Sequence, residues 1–215
     1  MANGNDRDQV LGRMTTERII AVIRENDPSV VPEIVRTLAG AGIGIIEITL
    51  TTPDAVALIA ACGAIEGVVV GGGSVLAVEE VERIAEAGGR FIASPVGDPA
   101  VIAAARSAGL VAMPGALTPT EIVRAWRDGA DIVKLFPMPT DPVTYLRAVR
   151  APLPHVPFAP SGGIDDVTAP LLLRAGATTL NLGSWLTPEA ASLSERLELI
   201  AERAGGLKKG VGIRE

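Results

Sequence analysis

Eight short apolar runs of β type are spread along the 215-residue chain, and each is followed by a longer run with helical periodicity. The runs predict strands over residues 19–24, 45–50, 68–71, 91–94, 111–114, 132–136, 158–161 and 179–182. Helices are predicted between them, for example over residues 30–38 and 78–87, with a last helix over residues 188–204. The chain is therefore a series of βα units.

Glycine and proline mark the ends of the predicted helices. Six glycines each precede a predicted strand by a few residues: Gly42, Gly67, Gly88, Gly109, Gly129 and Gly176. A helix often ends in a left-handed residue, which glycine adopts without steric cost. Capping residues before proline mark helix starts at Thr52, Asp98, Thr118 and Asp141, and Thr118 with Glu121 forms a capping-box pattern.

Eight βα units with right-handed crossovers predict an α/β protein of the (β/α)₈ TIM-barrel type. An open doubly wound sheet is the alternative. We expect one domain over residues 1–215, with a core of about residues 16–204 and polar segments on either side. In such barrels the active site lies at the carboxyl ends of the strands, so the residues at those ends are the candidates for function.

Composition excludes several classes of function. The net charge is −6 and no cluster of Lys and Arg occurs, so we expect no nucleic-acid partner. Apolar runs stay short of the ~18 residues that span a membrane, and residues 1–13 do not resemble a signal peptide. With one cysteine, Cys62, the chain is expected in the cytoplasm. The one histidine, His155, precedes a strand, so neither a serine–histidine triad nor a bound metal or cofactor is expected.

Lys134 is the most unusual residue of the chain. Only three lysines occur among the 19 Lys and Arg residues, and Lys208 and Lys209 lie in the polar C-terminal segment. Lys134 instead lies in the apolar strand over residues 132–136, on the same face as Ile132 and Phe136. A charge facing the helices would be costly, so Lys134 is predicted to point into the barrel, where burial favours a neutral, nucleophilic amine. The alternative is a structural ion pair.

Glu47 is the predicted partner of Lys134. It shares one strand face with Ile45, Thr49 and Thr51, so the strand turns a carboxylate and two hydroxyls toward the barrel interior. An interior Glu beside an interior Lys is either a structural pair or a general acid/base, and the two roles are compatible.

Three further strand ends carry candidate ligand-binding groups. The loops after the seventh and eighth strands contain Gly with Ser, at residues 160–164 and 181–186, and backbone N–H groups there favour a phosphate site. Arg24 ends the first strand and is a candidate for binding a carboxylate, with a solvated strand-end charge as the alternative. The glycines at residues 71–73 lack the rest of a nucleotide-binding motif.

Seven motifs together resemble one known family, the 2-keto-3-deoxy-6-phosphogluconate (KDPG) and 4-hydroxy-2-oxoglutarate (KHG) aldolases. The resemblance covers about residues 16–204 and rests on Ile-Glu-Ile-Thr-Leu at 46–50, Gly-Gly-Gly-Ser-Val-Leu at 71–76, Phe-Ile-Ala-Ser-Pro at 91–95, Met-Pro-Gly at 113–115, Val-Lys-Leu-Phe-Pro at 133–137, Pro-Ser-Gly-Gly at 160–163 and Gly-Ser-Trp-Leu at 183–186. It implies a metal-free, homotrimeric class I aldolase on a TIM barrel, acting on a 2-keto acid that carries a phosphate.

The resemblance also implies roles for single residues. Lys134 would form the Schiff base and Glu47 would move protons through water. Phe136 and Pro95 would line the pyruvate site, and the phosphate would be held by Ser161, Gly162, Gly163, Gly183 and Ser184.

This chain departs from the family pattern at three substrate-binding positions. Some members have Arg at the position of Thr51, so Arg24 becomes the candidate ligand of the substrate carboxylate. Ser74 and Ser161 replace the usual Thr, and both keep a hydroxyl. A sugar-phosphate epimerase and a non-catalytic phosphate-binding barrel are the alternatives, because both would share the phosphate loops without needing an imine. The choice between phosphogluconate, phosphogalactonate and unphosphorylated substrates stays open.

Overall fold

The computed structural model describes residues 4–212, and side chains from residue 6 onward; residues 1–3 and 213–215 lie outside this range. The strands are β1 (Ile19–Ile23), β2 (Ile45–Thr49), β3 (Val69–Gly73), β4 (Phe91–Ala93), β5 (Val111–Met113), β6 (Gly115–Ala116), β7 (Val133–Leu135), β8 (Phe158–Pro160) and β9 (Leu180–Leu182). The helices are α1 (Gly4–Glu17), α2 (Val31–Gly40), α3 (Ala55–Gly63), α4 (Val78–Glu86), α5 (Pro99–Ser107), α6 (Pro119–Arg127), α7 (Pro142–Arg150), α8 (Thr168–Arg174) and α9 (Leu193–Gly210).

The strands form a closed parallel barrel, as predicted. One run of pairing has the order β5-β4-β3-β2-β1-β9 and the other β6-β7-β8. β5 and β6 are two halves of the fifth barrel strand, interrupted at Pro114, whose carbonyl accepts a hydrogen bond from the N–H of Lys134. A parallel bridge between Ser161 and Asn181 joins β8 to β9. All eight predicted strands are confirmed, with ends shifted by one or two residues.

Apolar side chains of the strands pack on two sides of the barrel wall. Outward-facing residues such as Ile46, Ile48, Val133 and Leu135 pack against the surrounding helices in the larger cluster. Inward-facing residues form a smaller cluster at the amino end of the barrel, made of Ile20, Ile45, Phe91, Ala93, Val111, Met113, Ile132 and Ala159. Strand alternation therefore divides the sequence between an inner and an outer core.

Helix α1 closes the amino end of the barrel, where the sequence predicted only a polar segment. Val10 and Met14 lie one helical turn apart and pack into the inner cluster. Met14 is fully buried. The side chain of Arg7 also binds Asp131, which precedes β7. Helix α1 is thus part of the folded core, which begins before the boundary that was expected near residue 16.

The last helix was also predicted with wrong limits. α9 begins at Leu193 after the cap Ser192, whose hydroxyl accepts the N–H of Glu195, and it continues to Gly210. Residues 188–192, which were predicted as helix, form an irregular connection. Leu207 is buried, so the C-terminal segment packs on the barrel, although Lys209 is exposed.

Most of the predicted helix boundaries are confirmed. Asp98, Thr118 and Asp141 cap their helices with side-chain hydrogen bonds, and Thr118 with Glu121 forms the predicted capping box. The predicted start at Thr52 is wrong, because α3 begins only at Ala55, after a turn. The six glycines predicted to end helices all have positive φ: Gly42, Gly67, Gly88, Gly109, Gly129 and Gly176.

Candidate active site

Lys134 and Glu47 form a buried ion pair inside the barrel. The Nζ atom of Lys134 lies 3.1 Å from Oε1 and 3.4 Å from Oε2 of Glu47. Glu47 is 1% exposed and Lys134 is 7% exposed. Their strands β2 and β7 are far apart in the sequence, but both turn these side chains inward above the inner apolar cluster. The prediction that the two residues meet is confirmed.

Asn181 is the third polar side chain of this cluster. It lies on β9 next to β1 in the barrel, and its Nδ2 donates a 2.7 Å hydrogen bond to Oε2 of Glu47. Asn181 is 1% exposed. Glu47 therefore accepts hydrogen bonds from side chains of two other strands.

The backbone of β3 approaches Glu47 closely because residue 73 is glycine. Gly73 pairs with Thr49 in the register of β2 and β3. A Cβ atom at position 73 would lie 2.3 Å from Oε1 of Glu47, well inside the normal distance between non-bonded atoms. On the β7 side, the ring centroid of Phe136 lies 5.7 Å from Nζ of Lys134. The carboxylate and the amine are thus confined by their surroundings.

This arrangement suits a reaction that passes through an amine nucleophile. When Lys134 gives up a proton, its neutral amine is able to attack a carbonyl carbon. Glu47, already within hydrogen-bond distance, is placed to accept and return protons. In the described part of the chain no group of three or more His, Cys, Asp or Glu side chains is arranged to hold a metal ion.

The two glycine-containing loops after β8 and β9 come together around one cavity. The cavity has a volume of about 330 Å³, and its lining includes all five residues predicted to bind phosphate: Ser161, Gly162, Gly163, Gly183 and Ser184. Gly162 has φ 103° and Gly163 has φ 64°, both in the left-handed region that favours glycine. Asn181 lines the same cavity and so connects it to Glu47.

Asp165 is the one acidic residue in the lining of this cavity. The hydroxyl and then the backbone N–H of Thr168 donate hydrogen bonds to its carboxylate and lower the pKa of Asp165. The carboxylate is therefore held at the start of α8 as a charged cap. The opposite loop contributes only neutral groups, Gly183 and Ser184, to the cavity.

Comparison with known proteins agrees with this geometry. The family model described as "KDPG and KHG aldolase" matches residues 10–202. The chain belongs to this aldolase family. The match includes β1 to β9 and both cavity loops, so it covers every residue of the candidate site.

Relatives of this aldolase are named for two sugar acids. A "Probable 2-dehydro-3-deoxy-6-phosphogalactonate aldolase" of Rhizobium meliloti (strain 1021) is 37% identical over 171 residues, which are 78% of this chain and 81% of the relative. A "2-dehydro-3-deoxy-phosphogluconate aldolase" of Treponema pallidum (strain Nichols) is 34% identical over 183 residues, 80% and 82% of the two chains. The 2-keto-3-deoxy-6-phosphogluconate aldolase of Zymomonas mobilis ZM4, solved with 3-phosphoglycerate, superposes with a TM-score of 0.84 at 25% identity, covering 95% and 96%.

Two other predicted substrate-binding residues of the aldolase share a cavity that borders α6 and that Lys134 does not line. Pro95 and Phe136 line one cavity of about 430 Å³. The carbonyl of Pro95 packs so closely on Gly115 that a Cβ there would lie 2.3 Å from it. Ser74, half-buried, follows β3 directly and has φ 59°, a left-handed conformation that is uncommon for serine. Its position at a carboxyl end agrees with the prediction, and its role stays a prediction.

The structure does not bring Arg24 or Thr51 into contact with the ion pair. Val22 is paired with Glu47 in the register of β1 and β2, so Arg24 lies two residues, about 7 Å, farther along β1. Arg24 is exposed, and among the described residues it makes no hydrogen bond or ion pair. Thr51 is exposed, its hydroxyl lies 2.9 Å from that of Thr49, and it lines a surface groove between α3 and α4. Arg24 lines a different surface cavity, together with Glu189 and Arg196.

Asn181 is the site residue that the sequence analysis did not single out. It was noted only as the first residue of the loop over residues 181–186, whereas it ends up inside the barrel on β9. A signal was present, since alternation places Leu180 and Leu182 on the outer face and leaves Asn181 as a polar residue on the inner face. Cys62 is fully buried, and Trp126 and Trp185 pack on the outer core.

Proposed function

We propose that the protein is a class I aldolase that cleaves 2-keto-3-deoxy-6-phosphogluconate to pyruvate and glyceraldehyde 3-phosphate. Cleavage of 4-hydroxy-2-oxoglutarate to pyruvate and glyoxylate is a second reaction of the same site. The observation that carries this proposal is the buried pair of Lys134 and Glu47 inside the barrel of a chain from the KDPG and KHG aldolase family. No metal or cofactor is needed, because the lysine itself supplies the electron sink.

The reaction begins at the C2 ketone of the substrate. Nζ of Lys134 forms a bond to C2, the carbonyl oxygen takes up a proton, and the resulting carbinolamine loses water to give an iminium ion. Glu47 then removes the proton of the C4 hydroxyl. The O–H electron pair forms the C4=O bond, the C3–C4 bond breaks, and its electrons form the C2=C3 bond of an enamine while the iminium nitrogen becomes neutral.

The second half of the reaction returns the enzyme to its starting state. After the aldehyde leaves, the enamine takes a proton at C3 and becomes the iminium of pyruvate. Water attacks C2, and pyruvate leaves as the bond to Nζ of Lys134 breaks. Glu47 is within 3.1 Å of that nitrogen, so one carboxylate serves each of these proton transfers, directly or through a water molecule.

Substrate binding is assigned along the rim of the barrel. The cavity formed by Ser161, Gly162, Gly163, Gly183 and Ser184 supports binding of the terminal phosphate, because it presents backbone N–H and hydroxyl donors. Pro95 and Phe136, which share a cavity, are assigned to the pyruvate end, and the Phe136 ring lies 5.7 Å from Nζ of Lys134. Arg24 is the cation assigned to the carboxylate, since Thr51 is neutral and lies on the outer surface.

Trapping with sodium borohydride tests the proposal directly. Borohydride with pyruvate should add the mass of a reduced pyruvate adduct to Lys134, located by peptide mass spectrometry. Lys134→Arg should show neither the adduct nor cleavage. Labelling confined to Lys208 or Lys209, or full activity of Lys134→Arg, would contradict the assignment. The two alternative functions, a sugar-phosphate epimerase and a non-catalytic phosphate-binding barrel, form no reducible imine.

The preferred sugar acid is settled by a substrate panel. The relatives are named for phosphogluconate and for phosphogalactonate. Pyruvate release from both compounds, and from 4-hydroxy-2-oxoglutarate, ranks them by kcat/KM. A preference for the galactonate compound would correct the substrate while leaving the imine chemistry in place.

We also propose that the whole chain is one domain that acts in the cytoplasm as a homotrimer, as the family resemblance implies. In the described part of the chain, no helix combines the length and the apolar composition that a membrane span requires. Light scattering combined with size-exclusion chromatography measures the number of subunits, and a monomer would contradict the proposal.

A further inference from the structure

Asn181 makes the shortest hydrogen bond to Glu47. Its Nδ2 lies 2.7 Å from Oε2, compared with 3.1 and 3.4 Å for the two contacts of Lys134. A carboxylate only accepts hydrogen bonds, so the atom of the Asn181 amide that faces it is the nitrogen. The amide oxygen therefore points away from Glu47.

That amide oxygen has no partner among the described residues, although it is buried. An unpaired buried acceptor is destabilising, and an apolar side chain at position 181 would avoid that cost. The inward-facing residues lower in the barrel, such as Ile20 and Ile132, are apolar. Packing alone therefore does not explain an asparagine at this position. What an apolar side chain could not supply is the hydrogen bond to Glu47.

Lys134 cannot hold Glu47 in the same way throughout the proposed reaction. As an ammonium it has three N–H donors, but once it is an iminium it keeps one, and as an enamine nitrogen it carries no charge. The remaining fixed neighbours of the carboxylate are the Asn181 amide and the backbone at Gly73, where a Cβ would lie 2.3 Å from Oε1. The position of Glu47 during proton transfer thus depends on groups that the chemistry does not alter.

We propose that Asn181 is a positioning residue that keeps Glu47 in place while Lys134 is bound to substrate. This inference rests on the proposed function, in which Glu47 moves protons at an imine of Lys134. The step most dependent on it is proton exchange at C3 of bound pyruvate. There the C3–H bond of the iminium breaks, its electrons form the C2=C3 bond, the C2=N bond becomes single, and the proton goes to Glu47.

Exchange of the C3 hydrogens of pyruvate with D₂O, followed by proton NMR, isolates this step from imine formation. In Asn181→Ala we expect exchange to slow by about 10- to 100-fold, the factor expected for loss of a hydrogen bond to a charged group. Borohydride trapping of the pyruvate imine should stay within about twofold of wild type when followed to completion. Damage to the whole site would instead reduce both readouts.

Asn181→Asp is the second variant, because it keeps the shape of the side chain and replaces the donor with an acceptor. It should slow exchange at least as much as Asn181→Ala. Thr179→Val is the matched control: Thr179 lies two residues earlier in the chain, is fully buried, and its hydroxyl has no hydrogen-bond partner among the described residues. It should exchange at the wild-type rate.

The outcomes separate the two proposals. A wild-type protein that forms no imine with pyruvate overturns the proposed function and this inference with it. If the wild type forms the imine and exchanges C3 hydrogens, an Asn181→Ala or Asn181→Asp variant with wild-type exchange overturns only the positioning role. An equal loss of exchange in Thr179→Val would also overturn it.

Discussion

The two ends of the barrel are built from the same strands but bury different side chains. At the amino end, Ile45 of β2 points inward, as does Ile132 next to β7, and Met14 of α1 packs against this cluster. Two residues farther along the same strands, the inward side chains are Glu47 and Lys134. The distance between the two levels is about 7 Å.

This difference shows how the fold separates stability from chemistry. Burying apolar surface at the amino end stabilises the barrel, by about 25 cal/mol for each Å² removed from water. At the carboxyl end, a buried ion pair and an unpaired amide oxygen contribute little or oppose folding. The two levels lie about 7 Å apart and bury different kinds of side chain. Substitutions at one level should therefore change stability, and substitutions at the other should change catalysis.

After Lys134→Arg, the largest effect on turnover is expected from Glu47→Gln, also at the carboxyl end. Loss of the proton-transfer group should lower kcat by about 10²–10⁴-fold, while borohydride still traps an imine, because Glu47 does not attack the substrate. Steady-state pyruvate release measures the first quantity and intact-protein mass spectrometry the second. Glu25→Gln is the control, since Glu25 is also buried and paired, with Arg196, but lies outside the ion pair of the barrel. If kcat of Glu47→Gln is within about twofold of wild type, Glu47 is only a structural partner of Lys134.

At the amino end, Met14→Ala should lower the stability of the fold without changing kcat. Removing this fully buried side chain from the inner cluster should lower the free energy of unfolding by about 2–5 kcal/mol. Urea denaturation measures the loss, and kcat at a temperature where the variant is folded should be unchanged. Gln9→Ala on the exposed face of α1 is the control and should do little. Similar stability of the two variants would mean that α1 does not close the barrel in solution.

Substitution of Arg24 tests whether the rim of the barrel, where it meets the solvent, takes part in substrate binding. Arg24→Ala should lower kcat/KM by about 10- to 100-fold, for phosphorylated and unphosphorylated substrates alike, because a charge-assisted bond to the carboxylate is lost. Arg24→Lys should restore only part of the activity, since the two-pronged geometry is lost. Thr51→Arg in the Arg24→Ala background should recover some activity if both positions serve one carboxylate.

Arg127→Ala is the control for the change in net charge, because Arg127 is exposed in the last turn of α6. If Arg24→Ala behaves like Arg127→Ala, the carboxylate is bound by neutral donors such as Ser74.

The smallest effect is expected from Ser184→Ala in the loop after β9. Loss of one hydroxyl from the cavity should raise KM for the phosphorylated substrate by about 2- to 10-fold and leave KM for 4-hydroxy-2-oxoglutarate nearly unchanged. Ser192→Ala, which removes the cap of α9 and lies outside the cavity, should change thermal stability but neither KM value. Equal changes for both substrates would show that Ser184 shapes the loop and does not bind phosphate.

Sequence periodicity was sufficient to predict the barrel and the inward direction of its key residues. Alternation along a strand is a local property, so Lys134 and Glu47 were assigned to inner faces without knowledge of their neighbours. The meeting of the loops after β8 and β9 was predictable for a related reason, because parallel strands bring their carboxyl ends to one rim. Glycines at the helix ends were recognisable because only a left-handed turn requires them.

Contacts across the barrel were decided only by the tertiary structure. The bond between Asn181 and Glu47 joins residues 134 positions apart, and it depends on the register by which β9 returns to β1. The role of α1 was equally hidden, because Val10, Leu11 and Met14 are three apolar side chains in a mostly polar helix. Their role becomes visible only when the open end of the barrel lies beside them. Strand alternation fixes which way a side chain points, but register and closure fix what it meets.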